Sequence, residues 1–176
     1  MAGAAMGTDR PLKVQGHNRF AALYARYRIP LWRYLLKLGA GSALADDLTQ
    51  DAFVRWWNSR AAAWPEDERV RAYLFTIATR LLIDRHRRHR REVAWDDRPE
   101  ERETATAEEP PALIGGAAWQ ALTARERQLL WLAYAEEFSH EEIAAICGLA
   151  TGSVKVLLHR ARGRIAALLS QGDANG

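Results

Sequence analysis

The sequence has little of what several protein classes require. One cysteine among 176 residues excludes a disulfide framework and any multi-cysteine zinc or iron–sulfur site. No apolar run approaches the roughly 18 residues that a membrane-spanning helix needs. The segment from Met1 to Pro11 also lacks the basic-then-apolar order of a secretory signal. We therefore expect no membrane span and a cytoplasmic location.

The sequence also offers no arrangement of residues typical of an enzyme. No nucleophile–base pair, glycine-rich phosphate loop or metal-ligating cluster is evident. His86 and His89 lie one helical turn apart, but the arginines around them disfavour a bound cation. Cys147 stands alone in an apolar setting, which favours a buried structural thiol over a nucleophile. An enzyme is the least supported class, and we expect neither a metal nor another cofactor.

The charges that are present are distributed unevenly. Although the net charge of the chain is only +3, residues 1–91 carry 17 basic and 8 acidic side chains, a net charge of +9. Residues 92–122 carry 2 basic and 8 acidic side chains, a net charge of −6, and residues 123–176 carry six of each. The acidic segment contains prolines and few apolar residues, as expected of an extended linker. Such asymmetry indicates two small domains with different electrostatic tasks.

Apolar residues in both blocks recur at three- and four-residue steps, which predicts helices and no strand. In the basic block, one helix is predicted from about Arg19 to Lys37, and a second begins near Ala45. A third helix follows, and its core stripe is predicted to consist of Leu74, Ile77, Ala78 and Leu81.

The second predicted helix has a polar face. Asp47, Gln50 and Asp51 are spaced i, i+3 and i+4, so they lie on one side of the helix. The helix dipole is a sufficient reason for Asp46 and Asp47 near the N-terminus. It does not explain Gln50 and Asp51 one turn later, and the pattern alone leaves their role open.

The third predicted helix has a basic face. Its members follow steps of i, i+4, i+7, i+8 and i+11 and are Arg80, Asp84, Arg87, Arg88 and Arg91. Tyr73 lies two turns before them. Residues 85–91 contain five arginines, which repel one another unless an anion neutralises them. A solvated helix end is the ordinary alternative, but the density of arginine and the aromatic residue favour nucleic acid.

The C-terminal block has the pattern of a helix-turn-helix. A helix from about Ala124 to Tyr134 precedes a capping box, Ser139 with Glu142, that begins a short helix. A turn at Gly148 and a helix over about residues 152–169 follow. The face opposite its core carries Ser153, Val156, Arg160 and Arg164, with His159 beside them. Similar hairpins also mediate protein contacts, and a net charge of zero is low for a DNA-binding block.

Three segments carry a resemblance to a known family. They are Ala45 to Trp56 (ADDLTQDAFVRW), Ala72 to Asp84 (AYLFTIATRLLID), and the pieces between Leu122 and Ala161 that include SHEEIAA and GSVK. In this order, and separated by an acidic linker, they resemble bacterial RNA polymerase sigma factors of the extracytoplasmic-function (ECF) class. The resemblance implies an all-α fold with two small helical domains, a region 2 bundle and a region 4 helix-turn-helix.

The resemblance also divides the chain. It implies a tail at 1–17, region 2 at 18–92, an acidic linker at 93–118, region 4 at 119–170 and a tail at 171–176. It further implies that the linker threads toward the polymerase active centre. The implied partners are core RNA polymerase, through its β′ clamp helices and its β subunit, promoter DNA and an anti-sigma factor.

Each polar face receives a role from the resemblance. Binding of core polymerase is implied for Asp46, Asp47, Gln50, Asp51 and Arg55. Melting and capture of the promoter −10 element are implied for Tyr73, Arg80, Asp84, Arg87, Arg88 and Arg91. Recognition of the −35 duplex is implied for Ser153, Lys155, Val156, His159, Arg160 and Arg164. The alternative is a sigma-like module that sequesters an anti-sigma factor without initiating transcription.

Several positions depart from the family pattern. Arg80 stands where Asn is common, Tyr73 where Trp is common, and Val156-Leu157 where Ser-Arg is usual. Because an apolar side chain can contact the methyl group of thymine, we expect the −35 contact of Val156 either to be weaker or to favour thymine.

Overall fold

The computed structural model describes the backbone of residues 10–95 and 116–173 and the side chains of residues 18–89 and 116–171. All regular secondary structure in these ranges is helical, which confirms the predicted fold class. Most of the predicted acidic linker, residues 96–115, lies outside the described residues.

Seven α-helices and two short helical turns make up the described chain. The N-terminal domain comprises α1 (Arg10–Lys37), α2 (Ser42–Trp57), a 3-10 turn (Arg60–Ala63) and α3 (Asp67–Trp95). The C-terminal domain comprises α4 (Gly116–Gln120), α5 (Ala124–Leu130), a π-helical turn (Trp131–Ala135) that continues α5, α6 (His140–Cys147) and α7 (Thr151–Asp173).

The predicted start of the first helix was wrong. α1 begins at Arg10 and not near Arg19, so the predicted N-terminal tail contains its first turns. Residues 10–18 are mostly polar and lack the apolar period on which the prediction depended. Pro11 suits a first helical turn, where its missing N–H costs no hydrogen bond. The 3-10 turn and α4 were not predicted, because each is too short to show a period.

The N-terminal domain is a three-helix bundle around large buried side chains. Tyr34, Phe53, Trp56 and Phe75 are all at most 1% exposed. The predicted core stripe of α3 is buried in full. The Trp56 indole Nε1 donates to the Ala61 carbonyl at 3.2 Å, which ties the 3-10 turn to the end of α2.

The C-terminal domain contains the predicted helix-turn-helix. The capping box at the start of α6 is present, since Ser139 Oγ accepts from the Glu142 amide and Glu142 accepts from the Ser139 amide. Gly148 ends α6 with φ of 64°, a left-handed conformation that glycine adopts without strain. α6 and α7 then meet at 94°. Val154, Leu158 and Ala161 of α7 are buried.

The two domains pack against each other, which the sequence did not predict. One continuous hydrophobic core extends through both. Phe75 of α3 meets Phe138, from the loop before α6, edge to face with ring centroids 5.1 Å apart. The polar faces predicted from the sequence therefore belong to two domains that are in contact.

Among the described residues, no single helix is long and apolar enough to cross a membrane. Taken together, α6 and most of α7 satisfy the length and composition for a span, but only as a bent pair.

Candidate functional site

The predicted polymerase-binding residues share the exposed side of α2. Asp46, Asp47, Gln50, Asp51 and Arg55 are all exposed, because the intervening positions of the helix carry the buried side chains. Thr49 is buried, and its hydroxyl donates to the Ala45 carbonyl at 2.7 Å, so this polar side chain turns inward. The structure thus brings the five residues to one solvent-facing surface.

The same surface also contains two apolar side chains, Val54 and Trp57, which were not among the predicted binding residues. Val54 is 55% exposed and Trp57 is 40% exposed. The Trp57 ring packs edge to face against Phe20 of α1 at 5.2 Å, which fixes its position. Trp57 follows the buried Trp56 at the end of α2, so apolar periodicity alone does not show that its side chain is exposed. A surface with carboxylates around an anchored tryptophan suits a protein partner.

The predicted −10 residues lie along α3. Arg80, Asp84, Arg87 and Arg88 are exposed, while Leu81 and Leu82 between them are buried. The side chain of Arg91 lies outside the described residues. The basic face is therefore open to solvent over its described length.

Tyr73 lies in a small aromatic cluster at the N-terminal end of this face. Its ring is half-buried and lies 5.3 Å from that of Trp64. The Arg69 guanidinium lies over the Trp64 ring, 4.0 Å from the ring centroid. A cation on an aromatic face is attractive in itself and leaves the guanidinium edge available to an anion. Sequence reasoning missed Trp64 and Arg69, because Trp64 belongs to a loop without periodicity.

Arg19 holds the Trp64 loop in place. Its guanidinium donates to the Ala62 carbonyl at 3.0 Å and to the Trp64 carbonyl. It also lies 3.6 Å from the Asp67 carboxylate at the start of α3. Arg26 approaches the same carboxylate at 3.6 Å. Both arginines come from α1, so α1 positions the aromatic cluster relative to the basic face.

The predicted −35 residues lie on the outer side of α7. Ser153, Lys155, Val156, His159 and Arg160 are all exposed, and Val156 is 51% exposed. Leu157, which the sequence suggested was out of place on a DNA-reading surface, is half-buried and packs on the core. Its apolar character is thus explained by packing.

Arg164 differs from the other predicted −35 residues. It lies 3.6 Å from the Glu126 carboxylate and 3.5 Å from the Ala121 carbonyl oxygen. Its exposed guanidinium therefore also braces α7 against the start of α5.

Cys147 has the environment of a structural thiol. It is buried at the end of α6, and burial raises the pKa of its thiol to about 11, while the Arg125 guanidinium partly opposes the shift. A thiol with such a pKa is a poor nucleophile at neutral pH. The prediction that Cys147 is buried is confirmed.

In the described part of the chain, no three His, Cys, Asp or Glu side chains gather as a metal site would require.

Family models match both domains. The model for Sigma-70 region 2 matches residues 23–92, and that for Sigma-70, region 4 matches residues 117–165. Among curated relatives, the ECF RNA polymerase sigma factor SigL of Mycobacterium tuberculosis is 35% identical over 147 residues, which cover 80% of this chain and 82% of SigL. EcfG of Rhodopseudomonas palustris, also an ECF sigma factor, is 33% identical over 140 residues and 77% of each chain.

Two solved structures are similar over both domains. RpoE in complex with the anti-sigma factor NepR from Bartonella quintana has a TM-score of 0.70 and 28% identity, and the match covers 86% of this chain and 97% of RpoE. CnrH in complex with the cytosolic domain of CnrY has a TM-score of 0.62 and 26% identity, with 94% and 99% covered. Because the matches span both domains, the domain arrangement is similar as well as each domain.

Proposed function

The chain belongs to the ECF class of bacterial RNA polymerase sigma factors, and we propose that its three exposed faces each perform one step of promoter recognition. The observation that carries this proposal is the solvent-open basic face of α3, which ends in an aromatic cluster. Single-stranded nucleic acid is bound by this combination of cations and stacking surfaces. We further propose that the chain has no catalytic activity of its own and works in the cytoplasm.

The α2 face binds core polymerase. Asp47, Gln50 and Asp51 lie beside Trp57, so carboxylates surround an anchored aromatic side chain. Such a surface complements a basic helical partner, and the resemblance to the family implies that the partner is the β′ clamp helices. Charge complementarity there sets the orientation of docking and the rate of association.

The α3 face captures the melted −10 element. Unstacking a base costs a few kcal/mol, and stacking on an aromatic side chain returns about 1–3 kcal/mol per base. Tyr73 and Trp64 supply the stacking surface, and Arg80, Arg87 and Arg88 neutralise the phosphates. Stacking and phosphate neutralisation together offset the cost of unstacking, so the single strand is bound only when both contacts are made.

The outer face of α7 reads the −35 element as duplex. Ser153 and Val156 lie in its first turns, the part of a recognition helix that reaches base edges. Lys155, His159 and Arg160 contact the backbone or flanking bases. Because the C-terminal block has no net charge, affinity for this element depends on the rest of the polymerase complex.

An anti-sigma factor regulates the chain. The related RpoE and CnrH chains were solved with NepR and with the cytosolic domain of CnrY, respectively. The similar domain arrangement supports a partner of the same kind here. Sequestration of such a partner without transcription is the alternative function, and it requires neither the basic face nor an affinity for core polymerase.

Paired charge reversals test the division of faces. Arg87→Glu with Arg88→Glu should abolish open-complex formation while core binding is unchanged. Asp47→Lys with Asp51→Lys should instead abolish core binding. All four side chains are exposed, so the fold should tolerate both pairs. Reversal of Arg28 and Arg33, two exposed arginines of α1, makes the same charge change as the first pair and should affect neither step. Equal defects in the two tested pairs would contradict the assignment.

A further inference from the structure

The loop between α2 and α3, residues 58–66, is held by a side chain from α1. We propose that Arg19 is a positioning residue for capture of the −10 strand, because it fixes this loop in the shape that presents Trp64 to Tyr73. This inference rests on the proposed function, since the position of the aromatic cluster affects DNA only if the α3 face binds the single strand.

The first half of the loop is tied to the end of α2. Ser59 Oγ donates to the Trp56 carbonyl at 2.7 Å and accepts from the Ala61 amide at 3.2 Å. The Trp56 indole donates to the carbonyl of the buried Ala61, also at 3.2 Å. Trp64 joins this anchor through its amide, which donates to the Ala61 carbonyl at 3.1 Å. That one bond does not set the direction in which the chain continues to α3.

Arg19 fixes the second half of the loop through both terminal nitrogens of its guanidinium. One nitrogen donates to the Ala62 carbonyl at 3.0 Å, and the other donates to the Trp64 carbonyl. The second nitrogen also lies 3.6 Å from the Asp67 carboxylate at the start of α3. A guanidinium is planar and holds its donors in fixed directions, so it sets the spacing of the two carbonyls, whereas a lysine ammonium has no such fork.

The aromatic cluster depends on this arrangement because its members come from two elements. Tyr73 and Arg69 belong to α3, whereas Trp64 belongs to the loop. A shift of the loop therefore moves the Trp64 ring away from the Tyr73 ring, which now lies 5.3 Å from it. A loop that is already ordered raises affinity, because no ordering cost remains when the DNA binds.

A direct contact between Arg19 and a DNA phosphate is the competing explanation, and two substitutions separate it from positioning. A phosphate contact depends on positive charge, which lysine retains, whereas the bridge between two carbonyls depends on the fork, which lysine lacks. Removal of the Asp67 carboxylate takes a negative charge away from bound DNA, so electrostatics alone predict tighter binding. Positioning predicts weaker binding, because this carboxylate holds Arg19 in place.

The test measures binding of a single-stranded −10 oligonucleotide, by fluorescence anisotropy, to the complex of each full-length variant with core polymerase. We expect Arg19→Lys to bind about tenfold more weakly than wild type, and Asp67→Asn about threefold more weakly. Glu68→Gln is the matched control, because it removes the same charge from the same turn of α3 at an exposed position. It should bind at least as well as wild type.

Two further measurements separate positioning from a general loss of structure. Hydrogen exchange of amides 60–66 should be faster in Arg19→Lys, while exchange in α6 and affinity for core polymerase should match wild type. Arg19→Lys should add little to the effect of Tyr73→Ala, because both impair the same aromatic cluster, whereas it should add fully to the effect of Arg87→Glu.

Several results would overturn the proposal. They are oligonucleotide binding by Arg19→Lys or Asp67→Asn that equals or exceeds that of wild type, weaker binding by Glu68→Gln, unchanged exchange at amides 60–66, an equal loss of core affinity, and full additivity with Tyr73→Ala. Failure of the proposed function has a different signature, because the wild-type complex itself would then not bind the oligonucleotide, although Arg19→Lys still accelerates exchange in the loop.

Discussion

Gln128 donates a hydrogen bond to the Tyr34 hydroxyl at 2.9 Å, and this bond joins side chains that are 94 positions apart in the chain. Tyr34 belongs to the domain that matches Sigma-70 region 2, and Gln128 to the domain that matches region 4. A direct hydrogen bond between buried side chains thus joins the region 2 and region 4 domains.

Tyr34→Phe should weaken that coupling. It removes the hydroxyl that accepts from Gln128 and is paired with Thr79, so the buried Gln128 amide loses this acceptor, whereas Thr79 keeps its bond to the Phe75 carbonyl. We expect the free energy of unfolding to fall by about 1–3 kcal/mol, as measured by urea denaturation. Tyr24→Phe is the control, because Tyr24 contributes its ring to packing with Phe53 and should lose little. Equal stability of Tyr34→Phe and wild type would contradict the network.

Tyr73→Ala should weaken binding of a single-stranded −10 oligonucleotide by the complex with core polymerase. The loss of one stacking surface should cost about 1–3 kcal/mol of binding free energy, measured by fluorescence anisotropy. Tyr73→Phe keeps the ring against Trp64 and should bind nearly as well as wild type. Tyr134→Ala removes an exposed tyrosine of the C-terminal domain and should have no effect. A similar loss in Tyr134→Ala would show that the effect is not specific to the α3 face.

Val156→Ser should change base preference in the −35 element. The exposed Val156 side chain offers only apolar contact, which suits the methyl group of thymine, whereas serine can hydrogen-bond to several base edges. We expect the preference for thymine to decline when binding is measured over a randomised −35 library. Leu157→Ala should leave that preference unchanged, because Leu157 packs inward. An unchanged preference in Val156→Ser would show that Val156 does not read the base.

Stability should fall as the pH rises above about 9. Burial raises the pKa of the Cys147 thiol from 9.0 to about 11, so the unfolded chain ionises first and binds fewer protons in this range. Stabilisation from the protonated thiol is complete below pH 9 and is lost between about 9 and 11. Thermal denaturation of wild type and Cys147→Ala should show a steeper decline in Tm for the wild type. Parallel curves would contradict this account of Cys147.

The sequence predicted the elements whose signals are local. Apolar periodicity located the core stripe of α3, and the Ser139–Glu142 capping box located the start of α6, because each depends on spacing within one helix. The interdomain contacts could not be predicted in this way. Nothing in the sequence relates Arg71 to Glu136, since only the packing of α3 against the C-terminal domain brings them together.

The candidate site, like the fold, could be predicted from the sequence only where its residues follow a helical pattern. The polar positions of α2, α3 and α7 follow from helical projection, and the structure places their described side chains at the surface. Trp64 and Arg69 were missed, because a loop fixed by Arg19 carries the tryptophan to the aromatic cluster. The packing of Leu157 was not predicted, because its position on the helix lies at the edge between the core and the exposed face.

The most direct test of the central claim is transcription by core polymerase on genomic DNA of the source bacterium, with and without the chain, followed by mapping of transcript 5′ ends. The account predicts new start sites that require the chain, share one pair of upstream elements, and disappear with Arg87→Glu and Arg88→Glu. A chain that produces no new start site would contradict the account, and one that also binds an anti-sigma factor would support the sequestering alternative.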